Sequence, residues 1–385
     1  MSDLFQGAVT ILLFFLILGS LVLVHELGHF VTARLAGVRV LEFGIGFPPR
    51  AKILRSKGET LYTLNWLPIG GFVKLEGEDG DDGDDPRSFV RARLPTKLII
   101  LVAGVAMNLF VAFFIFTMIA WLATPLVGLK FYEVQPGSPA ATAGLQPGEA
   151  IVAVDGRRFE FFGQDQILTE LRASAGKTVD LTIERPDGSV RDQMVTLRST
   201  GQIDSTHGPL GISSSPDMPF EFPISYEGHD PVTAIGLGAS QTEHWFGVIL
   251  GGLGDLAKSF AADPTAAPPA AGPVGIARQI GDVFFGFGPI VTLYVAGILS
   301  ANLALVNALP FPPLDGGRMA VIVIKWAYGW LLRLLGRIGV RVPGMSSETS
   351  LRVERRTYLV GFFVLFAFLI WVSGFDVLKI LRGEL

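Results

Sequence analysis

The sequence predicts a polytopic α-helical membrane protein with four transmembrane helices and an inserted soluble α+β domain. Half of the 385 residues are hydrophobic and only 17% are charged, against roughly 25% charged in an average soluble domain. The apolar residues are concentrated in four stretches, each close to or above the roughly 20 residues that cross a bilayer. Between the second and third stretches, polar residues alternate with apolar ones as in a soluble protein.

Charge and cysteine content exclude several classes of function. The formal net charge of −4 provides no basic surface for nucleic acid, so we expect no nucleic-acid partner. The chain contains no cysteine. Disulfides, thiol catalysis and Cys-ligated metals are therefore excluded, and His, Asp and Glu remain as the strong metal ligands.

The four predicted spans lie at about residues 7–30, 98–127, 284–311 and 358–375. No Lys or Arg precedes Arg34, whereas a cleavable signal peptide begins with basic residues, so the first stretch is predicted to remain as a span. Basic residues cluster between spans one and two and between spans three and four, which places both segments in the cytoplasm. We therefore expect residues 128–283 and both termini outside it, although Lys379 and Arg382 favour the opposite side.

The predicted organisation has eight consecutive segments. These are residues 1–36, span one; 37–96, a membrane-associated cytoplasmic-side region with an acidic loop; 97–127, span two; 128–215, the soluble domain; 216–283, a proline-rich connector and a surface helix; 284–317, span three; 318–356, a cytoplasmic loop; and 357–385, span four and tail. The surface helix is predicted at 232–262, because this stretch is amphipathic but too polar to span.

Residues 76–85 are strongly acidic. The seven acidic side chains are Glu76, Glu78, Asp79, Asp81, Asp82, Asp84 and Asp85. A calcium loop would need a closing bidentate Glu, which this spacing lacks. A solvated cytoplasmic loop is therefore the favoured interpretation.

Residues 131–198 predict a small α+β fold in which Pro and Gly turns separate short apolar strands. Further strands are expected at 178–184 and 193–198. Here the chain resembles a PDZ domain, whose signature is matched by Gly137-Ser138-Pro139-Ala140-Ala141, Ala143-Gly144-Leu145 and Gly148-Glu149, with Glu149 in place of the usual Asp. The resemblance implies that an extended peptide or a substrate C-terminus binds as an added strand. A plug or spacer without a ligand is the alternative.

An H-E-x-x-H sequence, His25-Glu26-Leu27-Gly28-His29, lies inside the first predicted span. Positions i and i+4 share one face of a helix, so both imidazoles can hold one zinc ion while the glutamate reaches the attacking water. Ionisable residues within a span are costly and usually functional. The alternative is two hydrogen-bonded structural histidines and a glutamate near a helix end.

Catalytic zinc usually has a third protein ligand. His207, His229 and His244 lie in the part of the chain expected outside the cytoplasm, away from the inner end of span one. Asp315 follows span three at that inner end, and the preceding prolines break the helix so that its carboxylate can turn toward a buried site. The alternative is that Asp315 only begins an ordinary Asp-Gly-Gly turn. The presence of an H-E-x-x-H sequence in the same chain favours the metal ligand over this alternative.

These motifs together resemble the site-2 protease family of intramembrane zinc metalloproteases, most closely the bacterial regulator of sigma-E protease group. The family's N-x-x-P-x-P-x-x-D-G region corresponds to residues 307–316. Residues 44–47 and 68–74 resemble its membrane-associated β-hairpin, and 272–277 resemble a segment leading into span three. One PDZ signature is present, whereas some members have two.

The resemblance implies hydrolysis of a peptide bond in or near the transmembrane segment of single-span membrane proteins after a prior cut, as for anti-sigma-factor substrates, in the bacterial inner membrane. It implies Zn²⁺ held by His25, His29 and Asp315, with Glu26 as general base and then acid. The implied substrate-binding residues are Gly70, Gly71, Phe72, Val73, Asn302 and Asn307.

Two other functions are compatible with parts of the pattern. A membrane-anchored PDZ receptor or scaffold with an inactive or structural zinc site would have no use for Glu26. A metal transporter would need ionisable residues in several spans, which the apolar stretches of spans two and four lack. The expected partners are substrate proteins, a peptide at the PDZ domain and membrane lipid.

Overall fold

The computed structural model describes residues 3–78, 85–161, 166–204, 207–213, 221–263, 267–268, 270–337 and 347–382. The chain divides into two units. One comprises Met1–Ile115, Thr242–Gly288 and Thr292–Leu385, and the other comprises Phe116–Gln241 and Pro289–Val291. The former is called the helical unit and the latter the α+β unit.

The described chain contains eight α-helices, ten strands and two short 3-10 helices at Phe89–Arg91 and Thr200–Gln202. The helices are α1 (Asp3–Leu35), α2 (Leu94–Leu122), α3 (Pro139–Thr142), α4 (Ile167–Ala173), α5 (Pro231–Ala262), α6 (Pro273–Ala308), α7 (Asp315–Arg337) and α8 (Ser347–Leu381). The strands are β1 (Val40–Arg55), β2 (Leu61–Leu75), β3 (Thr124–Lys130), β4 (Glu133–Val134), β5 (Ala150–Val154), β6 (Arg157–Glu160), β7 (Thr178–Glu184), β8 (Val190–Thr196), β9 (Ile212–Ser213) and β10 (Glu221–Glu227).

Five of the described helices are long and apolar enough to cross a membrane, namely α1, α2, α6, α7 and most of α8. The sequence predicted four, so that count is not confirmed. The additional candidate is α7, where a cytoplasmic loop over 318–356 was expected, and for Asp315–Arg337 that expectation is corrected. The basic residues that suggested a loop recur at intervals of seven, eight and four, so they share one face of an amphipathic helix.

Strands β1 and β2 form a bent antiparallel hairpin in the helical unit, where a hairpin was expected. Residues 40–45 pair with 71–75 on one side, residues 42–45 pair with 61–64 on the other, and residues 62–64 also pair with 52–55. Segment 71–75 is therefore an edge of this sheet within the described chain. Its membrane association remains a prediction.

Small residues bring the hairpin onto α1. Gly70 has a φ of 67°, and a Cβ there would collide with Val22 of α1. A Cβ on Gly19 of α1 would lie 3.4 Å from the backbone nitrogen of Gly70. The hairpin backbone thus packs directly against the helix that carries the H-E-x-x-H sequence.

The described part of the acidic segment is paired with arginines. Asp85 accepts a hydrogen bond from Arg39 at 3.1 Å, and Glu78 pairs with Arg318. The backbone N–H of Arg87 donates to Asp85 at 2.8 Å and lowers the pKa of that carboxyl. Residues 79–84 lie outside the described residues, so the solvated loop predicted there stays a prediction.

The segment 272–277 forms the start of α6, and Asp376 of α8 caps it. The backbone N–H of Gly275 donates to the Asp376 carboxylate of α8 at 2.9 Å, and Asp376 is only 2% exposed. A Cβ on Gly272 or Gly275 would lie 2.8 or 3.0 Å from those carboxylate oxygens. The glycines therefore admit a carboxylate to the N–H groups that a helix start leaves without intrahelical partners.

The α+β unit contains a six-stranded antiparallel sheet with the order β10-β3-β6-β5-β7-β8 and a separate short β4–β9 pair. In β7, the alternating residues Val179, Leu181 and Ile183 are buried, which is the period-two pattern of a half-buried strand. The core also contains Phe131 and Ile151. The expected α+β fold is thus present, and its assignment as a PDZ domain remains a prediction.

This sheet extends beyond the predicted domain limits of 128–215. It begins at Thr124, where span two was expected to continue, and it includes β10, which was expected to be part of the connector. Apolar residues alternate along β10 at Phe222, Ile224 and Tyr226. Two prolines near this stretch obscure that pattern, but an edge strand tolerates proline. The α5 helix occupies the stretch predicted to be helical, and its position at a membrane surface is untested.

Candidate metal centre

The two histidines of the H-E-x-x-H sequence lie one turn apart on α1 and are both buried, with exposures of 6% and 7%. Their Nε2 atoms are 3.1 Å apart, and the ring planes meet at 85°. Helical spacing places the two side chains on one face. Both Nε2 lone pairs can therefore be directed at one point.

Asp315, the first residue of α7, meets these histidines. Its Oδ2 atom lies 2.9 Å from His25 Nε2 and 3.2 Å from His29 Nε2. A tight turn makes this possible, because a Cβ on Gly316 would collide with the carbonyl oxygen of Ala308, at the end of α6. The turn returns α7 against the end of α6 and aims the Asp315 carboxylate at the histidines.

The three donor atoms fit a zinc ion. They lie within 4.8 Å of one another, and Asp315 Oδ2 is buried without a hydrogen bond of acceptable geometry. A tetrahedral zinc with bonds of about 2.0–2.1 Å keeps its ligand atoms about 3.3 Å apart, which is close to the observed separations. Two imidazoles and one carboxylate also leave a fourth position open, as in catalytic rather than structural sites.

His29 is held in the orientation that a metal ligand needs. Its Nδ1 atom lies 2.8 Å from the carbonyl oxygen of Ile100 on α2. A carbonyl can only accept, so a neutral His29 carries its proton on Nδ1 and directs the Nε2 lone pair at Asp315.

Glycine lets α2 approach the centre. A Cβ on Gly104 of α2 would collide with His29 Nε2 and would lie 2.7 Å from His25 Cε1. A Cβ on Gly28 of α1 would lie 2.5 Å from the carbonyl oxygen of Ala103. The backbones of α1 and α2 therefore touch beside the histidines, and neither position has room for a side chain.

Glu26 contacts the hairpin. Its Oε2 atom accepts a hydrogen bond from the backbone N–H of Val73 at 3.1 Å. Val73 lies in the edge segment 71–75, so the edge of the sheet and the candidate general base meet at one place. The contact holds the Glu26 carboxylate at the cavity that both histidines also line.

A cavity of about 400 Å³ contains the centre. Of the predicted site residues, those that line it are His25, Glu26, His29, Gly71, Phe72, Val73, Asn307 and Asp315. Gly70 and Asn302 do not line it, because Gly70 packs on Val22 and Asn302 lies half-buried on α6, more than one turn before Asn307. The substrate-binding roles of all six predicted residues remain predictions.

Several residues of the site were not predicted. Asn108 lines the cavity, and its amide group is an isolated polar side chain in the most apolar part of α2, a signal that the sequence did contain. Glu78 and Arg318 also line the cavity and pair with each other. They are 240 positions apart, and no local pattern could have joined them.

The comparisons with known proteins agree with this geometry. The model of Peptidase family M50 matches residues 13–337. A protein of Arabidopsis thaliana named "Probable membrane metalloprotease ARASP2, chloroplastic" is 31% identical over 331 residues, which cover 81% of this chain and 71% of the relative. Zinc metalloprotease RasP of Geobacillus kaustophilus is 28% identical over 404 residues, covering 83% of this chain and 90% of RasP.

The family match includes both halves of the centre, which are separated by almost 300 positions. It extends from α1, with the histidines and Glu26, to α7, with Asp315. The apolar helices between and around these residues also make the chain a multi-pass membrane protein. The chain therefore belongs to Peptidase family M50, the site-2 protease family.

Proposed function

We propose that this protein is an intramembrane zinc metalloprotease that cleaves single-span membrane proteins in or near their transmembrane segments after a prior cut. The convergence of His25, His29 and Asp315 beside Glu26, on helices apolar enough to span a membrane, supports this proposal. The membership in Peptidase family M50 supports it independently.

Each polar group of the centre has a role in peptide hydrolysis. His25, His29 and Asp315 would hold the zinc ion, which when bound polarises the scissile carbonyl and acidifies water. Glu26 takes a proton from the attacking water and delivers it to the leaving nitrogen. Val73 holds the Glu26 carboxylate through its N–H, so the base points into the cavity before substrate arrives.

The substrate is proposed to bind as an extended strand. A transmembrane helix hides its carbonyl groups in hydrogen bonds, and an unwound segment needs new partners that lipid cannot supply. The edge segment 71–75 offers backbone groups of this kind, and before substrate binds the N–H groups of Val73 and Leu75 donate to Glu26 and Glu78. Asn307, which lines the same cavity, can bind the substrate backbone through its amide.

A cleavage assay tests the proposal. The purified protein is incubated with a shortened single-span substrate, with a chelator, and with chelator followed by stoichiometric zinc. We expect cleavage that the chelator abolishes and zinc restores. Zinc-loaded protein that leaves every substrate intact would instead favour the membrane-anchored receptor or scaffold.

The protein is proposed to lie in the bacterial cytoplasmic membrane, with the α+β unit outside the cytoplasm and the metal centre toward the cytoplasmic side. The distribution of basic residues supports this orientation. The native chain has no cysteine, so single cysteines at Ser56 and Ser189 give a clean test. We expect an impermeant thiol reagent to label intact cells at Ser189 only. Labelling at Ser56 only would reverse the orientation.

The α+β unit is proposed to be a PDZ domain that either recruits a substrate C-terminus or excludes bulky substrates, and exclusion is the favoured role. Two shortened substrates that differ only in a C-terminal amide separate these roles. Exclusion predicts equal cleavage of both and none of the substrate with its external domain attached. Recruitment predicts weaker cleavage of the amidated substrate, because the free carboxylate is lost.

A further inference from the structure

The two histidines of the metal centre have different partners on their Nδ1 atoms. His29 Nδ1 faces a backbone carbonyl, that of Ile100. His25 Nδ1 faces the side-chain amide of Asn108, with the amide nitrogen at 3.3 Å. Both partners belong to α2, so this helix contacts the outer side of both imidazoles.

The side chain of Asn108 is committed to His25. Asn108 is fully buried, and its Oδ1 atom has no hydrogen-bond partner among the described residues. Its backbone carbonyl separately accepts a hydrogen bond from Ser300 of α6 at 2.7 Å, and this bond does not involve the amide. Gly104, one turn earlier on α2, also faces the histidines. The amide is therefore held at one place, next to His25 Nδ1.

The chemistry of imidazole decides which amide atom must face His25. A neutral imidazole carries one proton, and His25 Nε2 can ligate a metal only if that proton is on Nδ1. A proton on Nδ1 needs an acceptor, and the amide oxygen of Asn108 is the acceptor within reach. The oxygen and nitrogen of an amide exchange places by a half-turn of the group, and their assignment follows from the hydrogen-bond network.

We propose that Asn108 is a positioning residue for the metal centre. Its carboxamide oxygen accepts the Nδ1 proton of His25 and so keeps the Nε2 lone pair directed at the metal position. The opposite amide orientation would leave the proton on Nε2, pointing at Asp315 and blocking coordination. This inference rests on the proposed zinc site, and it assigns a role to a residue outside the H-E-x-x-H and Asp-Gly motifs.

Zinc affinity is the direct test, measured on the full-length purified protein by competition with a chromophoric chelator. Asn108→Leu keeps the same number and branching of side-chain heavy atoms but has no acceptor, and we expect its zinc affinity to fall about 10–100-fold, the usual effect of removing a hydrogen-bond partner from a ligating histidine. Asn108→Asp keeps an acceptor at the same position, and we expect an affinity within a few-fold of the wild-type value. The absorption spectrum of bound Co²⁺ should change in the Leu variant and be retained in the Asp variant.

Ser300→Ala is the matched control, because it removes a buried hydrogen bond to the backbone of Asn108 without touching the amide. We expect wild-type zinc affinity for this variant. If Asn108→Leu does not fold, as judged by size-exclusion chromatography and circular dichroism, Asn108→Ala replaces it with the same expected loss.

The results separate this inference from the proposed function. If the wild-type protein binds no zinc, or if Asp315→Ala leaves zinc affinity unchanged, the proposed zinc site itself is wrong. Wild-type protein that binds zinc through Asp315, together with a folded Leu or Ala variant of unchanged affinity, would overturn the role of Asn108 alone. An Asp variant as weak as the Leu variant would also overturn it, since the acceptor would then not be the feature that matters.

Discussion

The helical unit and the α+β unit both bury apolar side chains, but the helical unit also buries a group of ionisable and amide side chains at one centre. The α+β unit has an apolar core that includes Phe131, Ile151 and Leu181, which is what the hydrophobic effect produces in water. In the helical unit, fully or nearly buried positions include His25, Asn108 and Asp376. Lipid provides little hydrophobic drive for helices to associate, so packing and polar contacts between helices carry more of that task. Buried polar groups are therefore informative about function in the helical unit, whereas buried apolar groups report on stability in the α+β unit.

The glycines of the molecule illustrate two different structural uses. In the helical unit, Gly28, Gly104 and Gly316 are required because another helix or turn occupies the space of a Cβ. In the α+β unit, Gly144 and Gly156 have positive φ angles of 71° and 74° and open space around them. The former allow close approach of backbones, and the latter allow turns.

The largest effect is expected at Glu26. Glu26→Gln should lower the cleavage rate by about 10²–10⁴-fold, because the variant lacks the general base, while the zinc content measured by metal analysis stays at the wild-type level. Glu59→Gln is the control, since Glu59 is exposed and pairs with Arg87. Wild-type turnover in the Glu26 variant would contradict the assignment of the base.

A core substitution in the α+β unit should have the opposite signature. Leu181→Ala removes a fully buried side chain and should destabilise that unit by about 2–5 kcal/mol. We expect faster hydrogen exchange in peptides covering β7 and β8 and an unchanged zinc affinity. Met194→Ala, at a side chain that is 61% exposed, should change neither. A loss of zinc affinity in the Leu181 variant would contradict this expectation, because metal binding would then depend on the core packing of the α+β unit.

Gly104→Ala tests close packing in the helical unit. The added methyl group would collide with His29 Nε2, and overpacking of this kind costs about 1–3 kcal/mol. If that strain falls on the ligands, zinc affinity drops by about tenfold or more, since 1.4 kcal/mol corresponds to a factor of ten. Gly7→Ala is the control, because no atom lies within 4 Å of a Cβ there. Equal zinc affinity in both variants would contradict the packing argument.

The smallest effect is expected at a helix cap of the α+β unit. Ser138 accepts a hydrogen bond from the backbone N–H of Ala141 at 3.1 Å, and Ser138→Ala should cost about 1 kcal/mol. Hydrogen exchange of the peptide containing α3 measures this change. Ser189→Ala, in the turn between β7 and β8, should leave that peptide unaffected. Unchanged exchange after Ser138→Ala would show that the cap is dispensable.

The sequence predicted those features that depend on local periodicity. The histidine pair followed from helical spacing, and strand β7 followed from alternation. Asp315 was also identified, because it follows span three at the expected membrane face of the H-E-x-x-H sequence and because the family resemblance implies a ligand at this position. Helix α7 was missed, since its basic residues were counted without regard to the face on which they lie.

Other features depend on contacts between distant parts of the chain, and no local pattern encodes them. The pairs Glu78–Arg318 and Asn108–His25 are of this kind. Strand β10 was missed for two reasons. Proline interrupts its alternation of apolar and polar residues, and its partner β3 lies about 100 positions earlier in the chain.

The Asp376 cap on α6 has a consequence for the order in which the protein matures. During synthesis, α6 emerges about 100 residues before its cap, since Gly275 and Asp376 are 101 positions apart. Until α8 is inserted, the first N–H groups of α6 lack this acceptor, and hydrocarbon offers no substitute. Helix α8 thus completes the first turn of α6, and this end of the helical unit closes only once α8 has entered the membrane.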